Sequence, residues 1–230
     1  MGGTRMLEFA CGTGLVSREL APFVAKIVGL DISQSMVDLY NKKAKEKGYD
    51  PEDVHAVCFN LLGEDESLGG VKFDLIICTA AFHHLSDPAR ITKALSALLA
   101  PKGSLFVSDI FKPSDDYDFV KNAEARKDLE HMPESVRDMS FAKTVSHRGG
   151  FAEADMKKFL EGDGGLTDFA FRLIGKMDFF APPPKEGSIA EGSKHETGGA
   201  GSEGHQTDAH GHSHGHGPIE LFIAKGTKPE

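Results

Sequence analysis

A short apolar run, Met6 to Phe9, breaks into the small-residue turn Ala10-Cys11-Gly12-Thr13-Gly14, and the helix-forming stretch Leu15 to Phe23 follows at once. Strand, glycine turn and helix in that order constrain the chain more than any other feature. Glycines at alternate positions let the backbone bend sharply and let a ligand approach closer than a Cβ permits. In an open α/β sheet such a turn sits at the carboxyl end of the first strand, where ligands bind. The helix behind it aims unpaired N–H groups at the turn, which suits a carboxylate or phosphate. A second apolar run ends at Asp31, seventeen residues past Gly14, where a carboxylate can accept hydrogen bonds from both ribose hydroxyls. The pattern predicts a nucleoside site.

Two nucleoside classes compete for that site. A dinucleotide fingerprint requires G-x-G-x-x-G, its third glycine letting helix and sheet pack closely. Here Gly12 and Gly14 are followed by Ser17, and Ala10 stands two residues before Gly12. This acid-x-small-x-G-x-G pattern, begun by Glu8, resembles motif I of class I S-adenosylmethionine-dependent methyltransferases. "IVGLDIS" and the helix "QSMVDLYNKKAKEKG" resemble that family's second strand and helix. "FDLIICTAAFHHLSDP" resembles its fourth strand, with the His-His pair common in the small-molecule branch (type 11-like). "ALSALLAPKGSLFVSDI" resembles the helix, turn and fifth strand that follow. The resemblance covers residues 4 to about 112 well and the rest loosely.

The expected fold is therefore α/β, a doubly wound, mostly parallel Rossmann-like sheet with an antiparallel edge hairpin, in one domain over residues 1–230. Strands are expected near 5–9, 26–31, 54–60, 73–79 and 104–110, and helices near 15–22, 34–47, 89–99 and 152–160. "LTDFAFRLIGKMDFF" and "IELFIAKG" read as two further strands, which the resemblance implies are the edge pair. Residues 113–148 are expected to act as a lid or substrate-side insertion. Residues 181–218, rich in Gly, Ser, Glu and His, are expected to be a disordered insertion in the hairpin. Family members usually carry one or two helices before motif I, and this chain reaches its first strand by residue 5. The expectation is a truncated start, or a cover supplied by 115–148 alone.

The resemblance implies S-adenosyl-L-methionine as the cofactor and a set of residues to hold it. Glu8 orients the turn; Ala10, Gly12 and Gly14 form it. Alanine reaches positive φ only at a cost, so the turn at Ala10 is expected to differ from a glycine's. Asp31 is the ribose ligand, or else a charge on the following helix dipole. Ile32 packs on adenine or in ordinary core. Asn60 and Leu61 follow the third strand on the adenine side, Asn60 reading equally as a turn residue. Cys78 and Thr79 end the fourth strand beside the aminoacyl part, or are plain strand residues. His83 and His84 read either as catalytic acid–base groups on the acceptor side or as loop histidines satisfied by backbone. His147 is a weaker candidate for the same pocket.

Composition narrows the function classes. With 26 basic and 35 acidic residues, the net charge is −9. Such a surface repels phosphate backbones and argues against nucleic-acid substrates. Three cysteines, Cys11, Cys58 and Cys78, fit a reducing compartment rather than a disulfide framework, so a cytoplasmic location is expected. No apolar run approaches the roughly 20 residues of a membrane span, so no membrane partner is expected. Six of the eleven histidines lie between His195 and His216, four of them on alternate residues from His210. They read as an incidental polar insertion or a loose metal chelator, and no dedicated catalytic metal is expected. The function expected is methyl transfer to a small organic acceptor at O, N or C. The alternative is a non-catalytic relative that binds the nucleoside or acts through partners. The oligomeric state is left open.

Overall fold

The computed structural model describes residues 3–63, 68–124, 140–177 and 219–230. Its sheet has seven strands: β1 (Arg5–Phe9), β2 (Lys26–Asp31), β3 (Val54–Cys58), β4 (Phe73–Thr79), β5 (Leu99–Ile110), β6 (Thr167–Met177) and β7 (Ile219–Thr227). They lie in the order β3-β2-β1-β4-β5-β7-β6. The first five are parallel, and β7 runs antiparallel to both β5 and β6. The strand order reverses between β1 and β4, so a crevice opens there at the carboxyl ends of the strands. That crevice is where the glycine turn emerges.

Alternation along the strands decides the two apolar layers. Met6 and Ile27 point to one face with Val37, Tyr40 and Ala44 of α2 (Gln34–Glu46), while α1 (Leu15–Leu20) leads back from the turn to β2. Leu7, Phe9, Ile76, Leu105 and Val107 point to the other face, against Ile91, Leu95 and Leu98 of α3 (Pro88–Leu98). The start of α3 follows the sequence: Pro88 supplies a preset φ at the first turn, and the Asp87 carboxylate accepts the Arg90 N–H at 3.0 Å. Among the described residues two short helices follow, α4 (Phe119–Glu124) and α5 (Glu153–Lys157).

Three boundaries differ from the sequence-based expectation. The strand expected from residue 104 begins at Leu99, because Ala100 to Gly103 form a bulge that Lys102 turns at φ 64°. Pro101 and Gly103 end the helix as expected, yet the chain pairs with β4 before the bulge as well as after it. The helix expected over 152–160 is one α-helical turn that widens into a π-helical stretch over Lys158–Asp163. Within the expected lid, only Phe119–Glu124 and the 3₁₀ stretch Ser140–Thr144 are regular among the described residues.

The edge hairpin is present, with Thr167 opposite Thr227 and Met177 opposite Ile219. The Gly/Ser/His-rich stretch 181–218 lies outside the described residues, as do the alternating histidines. The strands that flank it are paired at Met177 and Ile219, and closure entropy grows only slowly with loop length. Replacing residues 185–216 with a short Gly-Ser turn is therefore expected to shift the melting midpoint by only a few degrees. Retention on a nickel column should disappear with it. Loss of cooperative melting in the shortened chain would show that the stretch belongs to the working structure.

Candidate active site

The turn between β1 and α1 is held by a small set of bonds. Cys11 N–H donates to the Leu30 carbonyl at 3.0 Å, and Gly14 N–H donates back to the Cys11 carbonyl at 2.8 Å. Ala10, Gly12 and Gly14 all have positive φ, at 54°, 50° and 74°. Ala10 takes the left-handed conformation despite a cost of about 1–2 kcal/mol to a residue with a Cβ, because the surrounding bonds over-determine the turn. Ala80, just past the end of β4, does the same at φ 52°.

The two glycines serve different ends. A Cβ on Gly14 would stand 2.3 Å from the Tyr40 ring, so this position is closed from within the protein. A Cβ on Gly12 would meet nothing within 4 Å. Gly12 faces open space, which is what a turn that admits a ligand requires.

Asp31 ties that turn to the second helix. One carboxylate oxygen accepts the Gly12 N–H and the other the Ser33 N–H, both at 2.9 Å. Each oxygen keeps a further acceptor position, so the group is oriented and still able to bind two hydroxyls. Beside it Ile32 is 78% exposed, an apolar platform at the mouth of the crevice. Asn60 is exposed; its side-chain oxygen accepts the Leu62 N–H at 3.1 Å, an Asx turn. Leu61 is buried among the core side chains.

Glu8 is buried and spends one carboxylate oxygen on Ser17, accepting both its backbone N–H at 3.1 Å and its hydroxyl. Burial raises the Glu8 carboxyl above its usual value, and the Ser17 bonds only partly offset this. Ser17, the residue in place of a third glycine, thus fastens α1 to β1 through a polar pair rather than through close packing. Burial, then the Glu8 and Asp31 charges, pushes the Cys11 thiol up to about 12. Burial also raises Cys78, followed by Asp109 and Glu8. Neither thiol is a nucleophile at neutral pH. Thr79 is exposed at the end of β4.

The histidine pair lies in a 3₁₀ turn, Phe82–His84, at the same edge of the sheet. His83 is buried, and its Nδ1 lies 2.7 Å from a carboxylate oxygen of Asp109. His84 is exposed; its Nδ1 donates to the Thr144 carbonyl at 2.9 Å. The His83 carbonyl accepts the N–H groups of Ser146 and His147, each at 2.9 Å. The pair therefore also fastens the segment that covers this side of the sheet. Asp109 and Tyr40 were not singled out from sequence, and Ser17 was noted only as the residue at the third-glycine position, not as a partner of Glu8. Their only signal is a polar or bulky residue in an otherwise apolar element, which does not reveal a partner. Among the described residues, no group of three or more His, Cys, Asp or Glu side chains is placed to hold a metal ion. No helix among them is long and apolar enough to cross a membrane.

The chemistry of this edge fits an adenosyl ligand. It offers open space over Gly12, an oriented carboxylate at the end of β2, and an exposed apolar side chain beside it. Residues 7–105 match a family model described as a methyltransferase domain. The chain is similar to an uncharacterized methyltransferase of Schizosaccharomyces pombe, 41% identical over 118 residues, which are 50% of this chain and 42% of that protein. It is also similar to a ubiquinone biosynthesis O-methyltransferase of Coxiella burnetii, 33% identical over 112 residues, 47% of this chain and 44% of that one. The chain thus spans less than half the length of these curated relatives. The fold is shared with YcgJ of Bacillus subtilis, at a TM-score of 0.59 and 19% identity over 99% of this chain and 92% of that one. It is shared too with magnesium protoporphyrin IX methyltransferase of Synechocystis, solved with bound SAH, at 0.54 and 18% over 99% and 74%. The match over residues 7–105 falls on β1 to β5 with the glycine turn and Asp31, so this part of the chain is similar to class I S-adenosylmethionine-dependent methyltransferase domains.

Proposed function

We propose that this protein transfers a methyl group from S-adenosylmethionine to a small organic acceptor at O, N or C. The observation that carries this reading is the Asp31 carboxylate bound to the Gly12 N–H at 2.9 Å beside open space. That single contact couples the ribose-binding acid to the turn that admits the aminoacyl end. In this reading Asp31 takes the ribose hydroxyls, while Ile32 flanks adenine with Asn60 at its edge; Leu61, expected beside adenine, is taken up by the core and offers it almost no surface. The backbone at Ala10, Gly12, Gly14, Cys78 and Thr79 borders the aminoacyl portion, and Glu8 keeps the turn in place. His83 and His84 stand on the acceptor side. The cofactor supplies an electrophilic methyl on a sulfonium; the protein's share is to orient, desolvate and position the acceptor.

The acidic surface favours a small molecule over a nucleic acid. The Coxiella relative is named for O-methylation in ubiquinone biosynthesis, which supports a small acceptor. Three thiols, all free, fit a cytoplasmic enzyme. Fold alone would not carry the activity: a [4+2]-cyclase, SpnF, shares it at a TM-score of 0.58 and 18% identity.

The test is a thermal-shift comparison. S-adenosylhomocysteine at a hundredfold excess over its dissociation constant is expected to stabilise the protein by about 2.7 kcal/mol, and NAD not at all. Stabilisation by NAD without any by S-adenosylhomocysteine would reverse the reading. Methyl transfer itself is read by incubating the protein and labelled S-adenosylmethionine with a metabolite extract.

A further inference from the structure

A second cavity lies between the chain leaving β5 and the start of α5. Its volume is about 410 Å³, room for about a dozen waters at about 30 Å³ each and within the roughly 300–1,000 Å³ of small-molecule sites. None of the residues lining it belongs to the cofactor set above. Backbone bonds fix its walls. Lys112 N–H donates to the Phe151 carbonyl at 3.0 Å, Phe151 N–H to the Ile110 carbonyl at 2.9 Å, and Gly150 N–H to the His147 carbonyl at 3.0 Å. A Cβ on Gly149 would stand 2.9 Å from the Tyr117 carbonyl oxygen, and one on Gly150 would run into that of Ile110, so this wall is bare backbone. Phe159 stands edge-on to Phe151, centroids 5.9 Å apart, and the His147 ring lies 5.0 Å from Phe151. His147 Nε2 is buried without a hydrogen-bond partner among the described residues, a group the chain alone leaves unsatisfied.

The cavity carries charges of both signs. Lys112 Nζ lies 2.9 Å from an Asp115 carboxylate oxygen. That bond raises the ammonium above its usual value, and the nearby Asp155 charge adds to it. The ammonium keeps two further N–H donors. Asp155 spends one oxygen on the Ala152 N–H at 2.9 Å, and its other oxygen has no partner among the described residues. A ligand with only a negative charge would meet Asp155 and Asp115. One with only a positive charge would meet Lys112. A molecule with both sets each against its opposite. Because Lys112 and Asp155 act on each other, the two charges of the ligand must be near neighbours, as they are on the α-carbon of an amino acid.

We propose that this cavity is a binding site for a free α-amino acid with an aromatic side chain. The carboxylate binds Lys112 Nζ, the ammonium binds the open oxygen of Asp155, and the ring lies against Phe151, Phe159 and Tyr117. The walls are in place before the ligand arrives, so little ordering is lost on binding. The site does not depend on the methyl-transfer reading. S-adenosylhomocysteine ends in an amino acid too, so the test has to tell the two places apart.

The probe is L-phenylalanine, titrated against the full chain by ligand-observed NMR. It is expected to bind, with 2-phenylethylamine, 3-phenylpropanoate and L-alanine each at least about tenfold weaker, because each lacks one of the three anchors. Asp155→Asn keeps an oxygen for the Ala152 N–H and should bring L-phenylalanine down to the level of 3-phenylpropanoate. Lys112→Met should bring it down to the level of 2-phenylethylamine. Loss of one preference with the other kept is a result that general damage to the fold does not give. Saturating S-adenosylhomocysteine should leave L-phenylalanine binding unchanged. Displacement would put the amino acid in the cofactor's own place and overturn the second site. No binding of L-phenylalanine, or equal binding of either single-charge analogue, overturns the zwitterion. Equal binding of L-alanine overturns the aromatic ligand. Variants that weaken every probe alike overturn the charge assignment, and the comparison in the unaltered protein decides the ligand class without them. A protein that binds L-phenylalanine but no S-adenosylhomocysteine would lose the methyl-transfer reading and keep this one.

Discussion

Gly14→Ala is expected to destabilise the protein by about 2–5 kcal/mol, whereas Gly12→Ala should cost only about 1–2 kcal/mol and yet impair nucleoside binding more directly. Both residues have positive φ, so each alanine meets the left-handed penalty. Only at Gly14 does the new methyl also run into a neighbour, 2.3 Å from the buried Tyr40 ring. Tyr40 cannot move aside easily, since it sits in the layer formed with Met6, Ile27 and Val37. Overpacking of this kind adds about 1–3 kcal/mol to the strain. For a chain of this size the midpoint should fall by roughly 5–20 °C. At Gly12 the methyl enters open space and costs strain alone, but it occupies the side from which a ligand approaches. Calorimetric melting and S-adenosylhomocysteine titration of both variants check the contrast. Equal melting losses would remove the Tyr40 argument, and normal binding by Gly12→Ala would remove the cradle.

The division between what sequence revealed and what it hid follows from the range of the interactions. The strand–turn–helix at residues 5–20, the acid at Asp31 and the Asp87-Pro88 helix start are local patterns, and local patterns are written in consecutive residues. The parallel order of β1 to β5 could be expected from alternating strands and helices and from the resemblance, and the edge hairpin from two further strand-like runs. What stayed hidden are pairings across long separations. Glu8 looked like an orienting acid, and its partner proved to be Ser17, nine residues on. The role of Tyr40 in closing Gly14 depends on how α2 lies over the turn, which no spacing encodes. Asp109 is one acid at the end of an apolar strand, and its meaning appears only when the turn after β4 brings His83 beside it. Ala10 shows the reverse limit. Its intrinsic preference argued against positive φ, and the turn's own hydrogen bonds prevailed.

Asp31→Ala is expected to weaken S-adenosylhomocysteine binding by about ten- to a hundredfold, the loss of charge-assisted bonds worth about 1.5–3 kcal/mol. The structure adds a complication, because the same carboxylate holds the Gly12 and Ser33 N–H groups at 2.9 Å. A weaker complex could then reflect a loosened turn rather than a lost ribose contact. A ligand without the hydroxyls separates the two causes. Adenosine and 2′,3′-dideoxyadenosine, each competed against labelled S-adenosylhomocysteine, form a cycle with the unaltered protein and the variant. If Asp31 binds the ribose, the unaltered protein prefers adenosine by about ten- to a hundredfold and Asp31→Ala has little preference left. If Asp31 only braces the turn, the variant weakens both ligands alike and the preference survives. The ribose assignment stands on the first result and falls on the second, because a bracing residue has no means of sensing two hydroxyls it does not touch.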